Sequence, residues 1–101
     1  MSPTSLPADR IARFHAIEAA RFLAAHPRCV ALHQQAQRHF LFGVPLHWMA
    51  DAPSPVPLYV DKAQGARLFD VDGHAIIDFC LGDTGAMFGH SPAAIARTLA
   101  E

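Results

Sequence analysis

The chain has 101 residues, about half of them apolar, and a formal charge of -1, which leaves room for one small domain and no more. Its seven arginines are scattered and Lys62 is the only lysine, so there is no concentrated positive surface of the kind that phosphate backbones require. No apolar run approaches the ~20 residues of a membrane span, and "MSPTSLPADR" lacks the basic flank and apolar core of a secretory signal; a soluble cytoplasmic protein is expected, with Cys29 and Cys80 as buried thiols and not a disulfide.

The first element in chain order is a helix over "LPADRIARFHAIEAARFLAAHP", of roughly four to five turns. Serine and threonine precede it as caps, Pro7 and Asp9 suit its first turn, and His26-Pro27 ends it. Arg10, Arg13, Glu18 and Arg21 share one side, but Phe14 and Ile17 interrupt that polar stripe. Apolar residues on both sides imply packing against more than one neighbour, including another chain.

A second helix is expected over "RCVALHQQAQRHFLFG", ending near Gly43. The connector "VPLHWMADAPSPVPLYV" holds four of the eight prolines within thirteen residues, which points to an extended path with no helix. Val44, Leu46, Trp48 and Met49 make it too apolar for a free linker. Trp48 and Tyr59, the only residues of their kinds, are expected against a core or an interface.

From Leu58 the pattern changes to strands: "PLYVDKA", "ARLFDVD" and "HAIIDFC", separated by Gln64-Gly65 and Asp72-Gly73. Glycine takes positive φ at little cost and an aspartate accepts from turn amides, so a three-stranded antiparallel meander follows. "LGDTGAMFGH" reads as a glycine-punctuated loop whose backbone closely approaches another group. "SPAAIARTLAE" opens a last helix with Ser91 as cap and Pro92 at its first position; no glycine or proline stops it, so it reads as interrupted.

Several chemistries are tempting and none is complete. "DVDG" matches part of a calcium loop, yet the bidentate glutamate due at the twelfth loop position, counting Asp70 as the first, falls on Leu81, so Asp70, Asp72 and Asp78 are read as turn and capping residues. Cys29 and His33 lie four apart on a helix with His39 beyond, but further ligands at zinc spacing are missing. There is no nucleophile elbow. The glycine loop lacks both the Lys-Ser/Thr of a phosphate loop and the dinucleotide spacing.

Taken in order, Gly65, Leu68, Asp70, Asp72, Gly73, Ile77, Asp78, Gly89, His90 and Pro92 reproduce a pattern. A proline-bearing approach leads to a strand, "G-x-x-L-x-D-x-D-G", a strand with "I-D", a glycine loop, then "G-H" and a proline opening a helix. The stretch resembles the amino-terminal part of class III pyridoxal-phosphate-dependent aminotransferases, in particular the glutamate-1-semialdehyde aminomutase-like branch. "GHSP" stands where many members have "G-H-x-H-P", and "GVPLHWM" carries no arginine where that branch often has one.

The resemblance implies an α+β piece of a fold type I (α/β) enzyme: a helical arm over 1–42, a proline-rich connector over 43–57, and the beginning of the small domain over 58–101. It implies a homodimer using pyridoxal 5'-phosphate on a small amino donor and acceptor; the cytoplasmic location and the lack of a nucleic acid or membrane partner are expected from charge and hydropathy. Aminotransferase and aminomutase both stay open.

No catalytic, cofactor-binding or metal residue is expected within this chain, and Lys62 is read as a solvated strand-end charge. Gly82, Asp83, Thr84 and Gly85 are expected on the substrate side of the cofactor in a full-length relative, while the chain alone is expected to be inactive and to bind no cofactor. The alternative is a non-enzymatic or degenerate module that docks on a partner through exposed apolar faces.

Overall fold

The computed structural model describes residues 7–101, in which three α-helices and one three-stranded antiparallel sheet are arranged in two units that divide between Pro57 and Leu58. The helix–helix–meander–helix order is the one expected from the periodicities.

In the first unit, α1 runs Ala8–Ala25 with Pro7 at its N-cap and Asp9 in its first turn. The expected serine and threonine caps lie outside the described residues. His26 closes the helix: its ring stacks on Phe22 at 4.0 Å and its Nδ1 lies 2.7 Å from the Phe22 carbonyl oxygen. Pro27, which has no amide proton to donate, then opens α2, Pro27–Ala36.

α1 has no buried side chain, and Ile11, Phe14, Ile17 and Leu23 are all exposed. Arg21 pairs with Glu18 at 2.8 Å, but both are exposed, and such a pair contributes little.

α2 stops at Ala36, well before Gly43. The amides of His39 and Phe40 both bond the Ala36 carbonyl, and positive φ at Phe42 (58°) and Gly43 (72°) turns the chain through a 3-10 turn at Leu41–Gly43. Folding back buries Val44 and sets Gly43 so tightly on α2 that a Cβ there would stand 2.7 Å from His33 Cε1. A helix continued to Gly43 could do neither.

The connector also departs from an extended path. One 3-10 turn, His47–Asp51, fits in the proline-free window between Pro45 and Pro53. Of its apolar residues Val44 is buried and Met49 half-buried, while Leu46 and Trp48 are exposed. Cys29, Val44 and Val56 are the only buried apolar side chains among the described residues, and all three belong to this first unit.

The second unit holds β1 (Val60–Gln64), β2 (Arg67–Asp70), β3 (Ala75–Ile77) and α3 (Ala93–Ala100). The strands pair in chain order, antiparallel throughout. Gln64 opposite Arg67 leaves Gly65 and Ala66 as a two-residue turn, with Gly65 at φ 57°. The register shifts by one between Val60 and Lys62, an extra residue in β1 at Asp61. Ala63, Leu68 and Ile76 stand opposite one another, half-buried on one face; Lys62, Phe69 and Ala75 stand on the other. The Lys62 ammonium lies over the Phe69 ring, 5.1 Å from its centroid.

The second turn is longer than the two residues that Asp72-Gly73 suggested. Gly73 bonds the Asp70 carbonyl at 3.1 Å and carries φ 94°, and Asp70 N–H bonds the His74 carbonyl at 3.1 Å: a three-residue loop, Val71 to Gly73. Its aspartate is Asp70, not Asp72. Oδ1 of Asp70 accepts from the amides of Asp72 (3.0 Å) and His74 (2.8 Å), while Oδ2 lies 2.9 Å from His74 Nδ1.

Burial alone would raise the Asp70 pKa. The His74 amide and imidazole and the Asp72 amide outweigh it and hold the group below its ordinary value. Replacing Asp70 by alanine is expected to cost about 1–3 kcal/mol, because turn amides lose their acceptor. Asp70→Asn, which keeps one carbonyl oxygen, should lose clearly less; urea denaturation midpoints of the two variants provide the check.

Candidate functional site

The glycine-punctuated segment after β3 is tied down at both ends by side chains of the meander and of the loop itself. At its start, the Asp78 amide bonds the Ala66 carbonyl (2.8 Å), and Asp78 Oδ1 accepts from the amides of Cys80 and Leu81 (2.9 Å each). Short polar side chains make this bond to backbone two or three residues on, and it turns the chain sharply after the strand.

At its end, His90 forms an antiparallel bridge with Gly65: His90 N–H bonds the Gly65 carbonyl at 2.8 Å and Gly65 N–H bonds the His90 carbonyl at 2.9 Å. The two ends meet where His90 Nε2 lies 2.6 Å from Asp78 Oδ2. An ionised carboxylate has no proton to give, so Nε2 must be the donor, which fixes the imidazole tautomer or its charged form. Both side chains are largely shielded, at 21% and 12% exposure.

The Asp78 carboxyl is held below the usual carboxylate value, first by the His90 hydrogen bond and then by the Leu81 and Cys80 amides, against a smaller opposing effect of burial.

The close approach expected of the loop glycines occurs at Gly89. A Cβ there would lie 3.2 Å from the Gly65 Cα and 3.4 Å from its carbonyl carbon and oxygen, and φ is 86°. Ser91 does not cap α3. Its φ is 49° and its hydroxyl donates to the Ala63 carbonyl at 2.8 Å, so Pro92 takes the N-cap position and Ala93 begins the helix. A hydroxyl donated to a strand carbonyl is turned away from the helix amides.

Between the anchored ends the backbone runs left-handed through three successive residues, Leu81 (φ 53°), Gly82 (φ 63°) and Asp83 (φ 59°). Only glycine adopts this region without cost; each of the other two incurs about 1–2 kcal/mol. Bonds from Ala86 N–H to the Leu81 carbonyl (3.0 Å) and from Gly85 N–H to the Gly82 carbonyl (3.0 Å) close the loop on itself. Cys80 is exposed, contrary to the expectation of burial, and its Sγ donates to Asp83 Oδ1 at 3.2 Å.

Of the residues expected on the substrate side, Gly82, Asp83, Thr84 and Gly85 are contiguous at this exposed left-handed turn. Thr84 and Gly85 also line an open groove of about 420 Å³ with Met87, Phe88, His90 and Ile95. Sequence reasoning missed the link from Asp78 to His90, because the two lie twelve residues apart with an irregular loop between them. The available signal was that "I-D" and "G-H" both belong to one motif.

No family model matches the chain. Among known proteins, it is 40% identical over 47 residues to glutamate-1-semialdehyde 2,1-aminomutase of Methanopyrus kandleri, covering 46% of this chain and 11% of that protein. To the protein of the same name from Thermoplasma acidophilum it is 36% identical over 70 residues, covering 67% of this chain and 16% of the relative.

The crystal structure of a glutamate-1-semialdehyde-aminomutase from Pseudomonas aeruginosa superposes with a TM-score of 0.85 at 45% identity, covering 94% of this chain and 21% of that one. A variant of that aminomutase has been solved in complex with PMP. A β-phenylalanine aminotransferase from Variovorax paradoxus superposes at 0.78 with 28% identity, over 86% of this chain and 20% of that one. The chain therefore spans about a fifth or less of the length of these proteins.

Two outcomes test the geometry. A carboxylate with a depressed pKa favours the folded form above its unfolded value of about 3.9, and that contribution is lost as pH falls through the folded value. Exchange of the Cys80 and Leu81 amides, corrected for intrinsic rates, should therefore accelerate as pH is lowered below about 4, and Asp78→Ala should abolish that dependence. Separately, Gly89→Ala should destabilise by about 1–3 kcal/mol, since it meets backbone and forces positive φ on alanine. Gly85→Ala, whose Cβ would meet only the Gly82 carbonyl oxygen at 3.6 Å, should stay within about 0.5 kcal/mol by denaturation.

Proposed function

Because the chain belongs, over the residues it spans, to the class III pyridoxal-phosphate-dependent aminotransferase family, we propose that it is the amino-terminal part of such an enzyme, an aminomutase or aminotransferase acting on an amino acid or amino-aldehyde. The family has the fold type I arrangement. In this reading, residues 1–42 are the helical arm, 43–57 the connector and 58–101 the start of the small domain of a cytoplasmic homodimer with small-molecule amino donors and acceptors. Gly82, Asp83, Thr84 and Gly85 form its substrate-side loop.

The observation that carries the reading is that the second unit has a sheet but no core. None of its apolar side chains is buried, and no described helix or strand packs on α3. Phe79 is 95% exposed, Phe88 90% and Leu99 82%. Burying each of these gains about 1.5–3 kcal/mol, so covering them would add to the stability that the hydrogen-bonded sheet has by itself. Chain corresponding to the remainder of the relatives is the natural source of that cover.

The residues present do not make a site for the cofactor. Lys62 is the only lysine in the sequence, and its ammonium is engaged on the Phe69 face of the meander. The role proposed for this chain is to shape the loop that faces substrate, and no chemical step is assigned to it.

Two measurements test the proposal together. The reading frame past codon 101 should continue into a lysine-bearing α/β domain, and the product of that extended frame should show an aldimine absorption band with pyridoxal phosphate that the 101-residue chain lacks. A stop codon directly after Glu101 would overturn the enzyme reading in favour of a module docking through its apolar faces. A stoichiometric, borohydride-trappable adduct on Lys62 would overturn the claim that the cofactor is held elsewhere.

A further inference from the structure

We propose that Asp78 and His90 are positioning residues that hold the left-handed turn Leu81–Asp83, and with it the Gly82–Gly85 loop, in place, an inference that rests on the reading of that loop as the substrate-side segment. Eleven residues, 79–89, separate the two side chains, and the 2.6 Å contact between His90 Nε2 and Asp78 Oδ2 closes them into a ring. Both ends of the ring are fastened to the same two-residue turn of the meander, Asp78 N–H to the Ala66 carbonyl and the His90 backbone to Gly65.

Inside the ring, the turn at Leu81, Gly82 and Asp83 is left-handed at three successive residues, a conformation that costs leucine most and that aspartate visits only as a single residue. Further bonds of this segment are local: Asp83 N–H to the Cys80 carbonyl, Ala86 N–H to Leu81, Gly85 N–H to Gly82, Gly89 N–H to Ala86, and Cys80 Sγ to Asp83. They move with the loop. The bonds that connect the left-handed turn to the fixed sheet run through one carboxylate, whose Oδ1 takes the Cys80 and Leu81 amides while Oδ2 takes the imidazole.

Asp78 thus couples two things. It sets where the loop departs from β3, and through His90 it sets where the loop returns beside Gly65. Neither side chain needs to touch substrate for the loop's shape to depend on both.

The experiment is site-resolved amide exchange on the labelled 101-residue chain, its Asp78→Ala and Asp78→Asn variants, and His90→Ala. Protection in the parent is expected at Cys80, Leu81 and His90, with Asp70 and Val71, bonded to His74 and Tyr59 in the meander, as internal controls. Asp78→Ala should lose at least about tenfold in protection at Cys80 and Leu81 with the controls changed less than about twofold, and His90→Ala should reproduce part of that loss.

Asp78→Asn retains an oxygen for both amides and should restore most of the protection at Cys80 and Leu81. Unprotected Cys80 and Leu81 amides in the parent, loss at the controls equal to loss at the loop, or no rescue by asparagine would each overturn the proposal. Because the measurement involves no cofactor, a stop after codon 101 would remove the enzyme reading without altering this result. Failed rescue would remove the clamp while leaving the enzyme reading intact.

Discussion

The contact between Asp78 and His90 is the constraint on which the second unit turns. An irregular loop has no ladder to hold it, so its conformation must come from side chains and from backbone bonded to something already fixed. Here the fixed object is the Gly65-Ala66 turn, and Asp78 and His90 bring both ends of the loop to it. Gly89 must be glycine because its backbone approaches that of Gly65. Ser91 leaves its capping role because its hydroxyl is drawn to Ala63. Each departure from local preference between Asp78 and Pro92 follows from this fastening.

The two units differ in what they lack. The first has a small buried cluster in Cys29, Val44 and Val56 but presents Ile11, Phe14, Ile17 and Leu23 to the surroundings along α1. The second has a well-hydrogen-bonded meander whose one buried side chain is the carboxylate of Asp70. Backbone pairing and turn capping supply its order, while the apolar burial that usually supplies most of the driving force is absent. Such surfaces are expected of a segment whose partners lie in further chain or in a second subunit, which is the arrangement proposed for this family member.

Element order was legible from the residues alone because the signals are local. Pro27 separates two helices, Gly65 and Gly73 mark turns, and alternation marks strands. Other features were not legible, because they depend on which side chain reaches which backbone group and not on periodicity. α2 ends early because folding back buries Val44 and packs Gly43 on His33. The second turn gained a residue because Asp70, at the end of β2, captures the amides of Asp72 and His74. The pairing of Asp78 with His90 spans a loop whose path no periodicity encodes. Positive φ at Leu81 and Asp83 is invisible for the same reason, since both residues disfavour it locally.

The motif residues acquire a different meaning once their contacts are known. Gly65 and Gly73 allow turns, Asp70 caps one, Gly89 permits close approach, and Asp78 and His90 close the ring. Six positions that carry the family resemblance are thus accounted for by backbone geometry. A stretch crowded with aspartates and histidines looks like chemistry in one dimension, but the carboxylates of Asp70 and Asp78 are occupied: each accepts from two amides and faces one imidazole. An acceptor so occupied is well placed to fix a backbone. In the function proposed for this chain, the contribution of the region is a shape, presented by Gly82 to Gly85 and held from behind by Asp78 and His90.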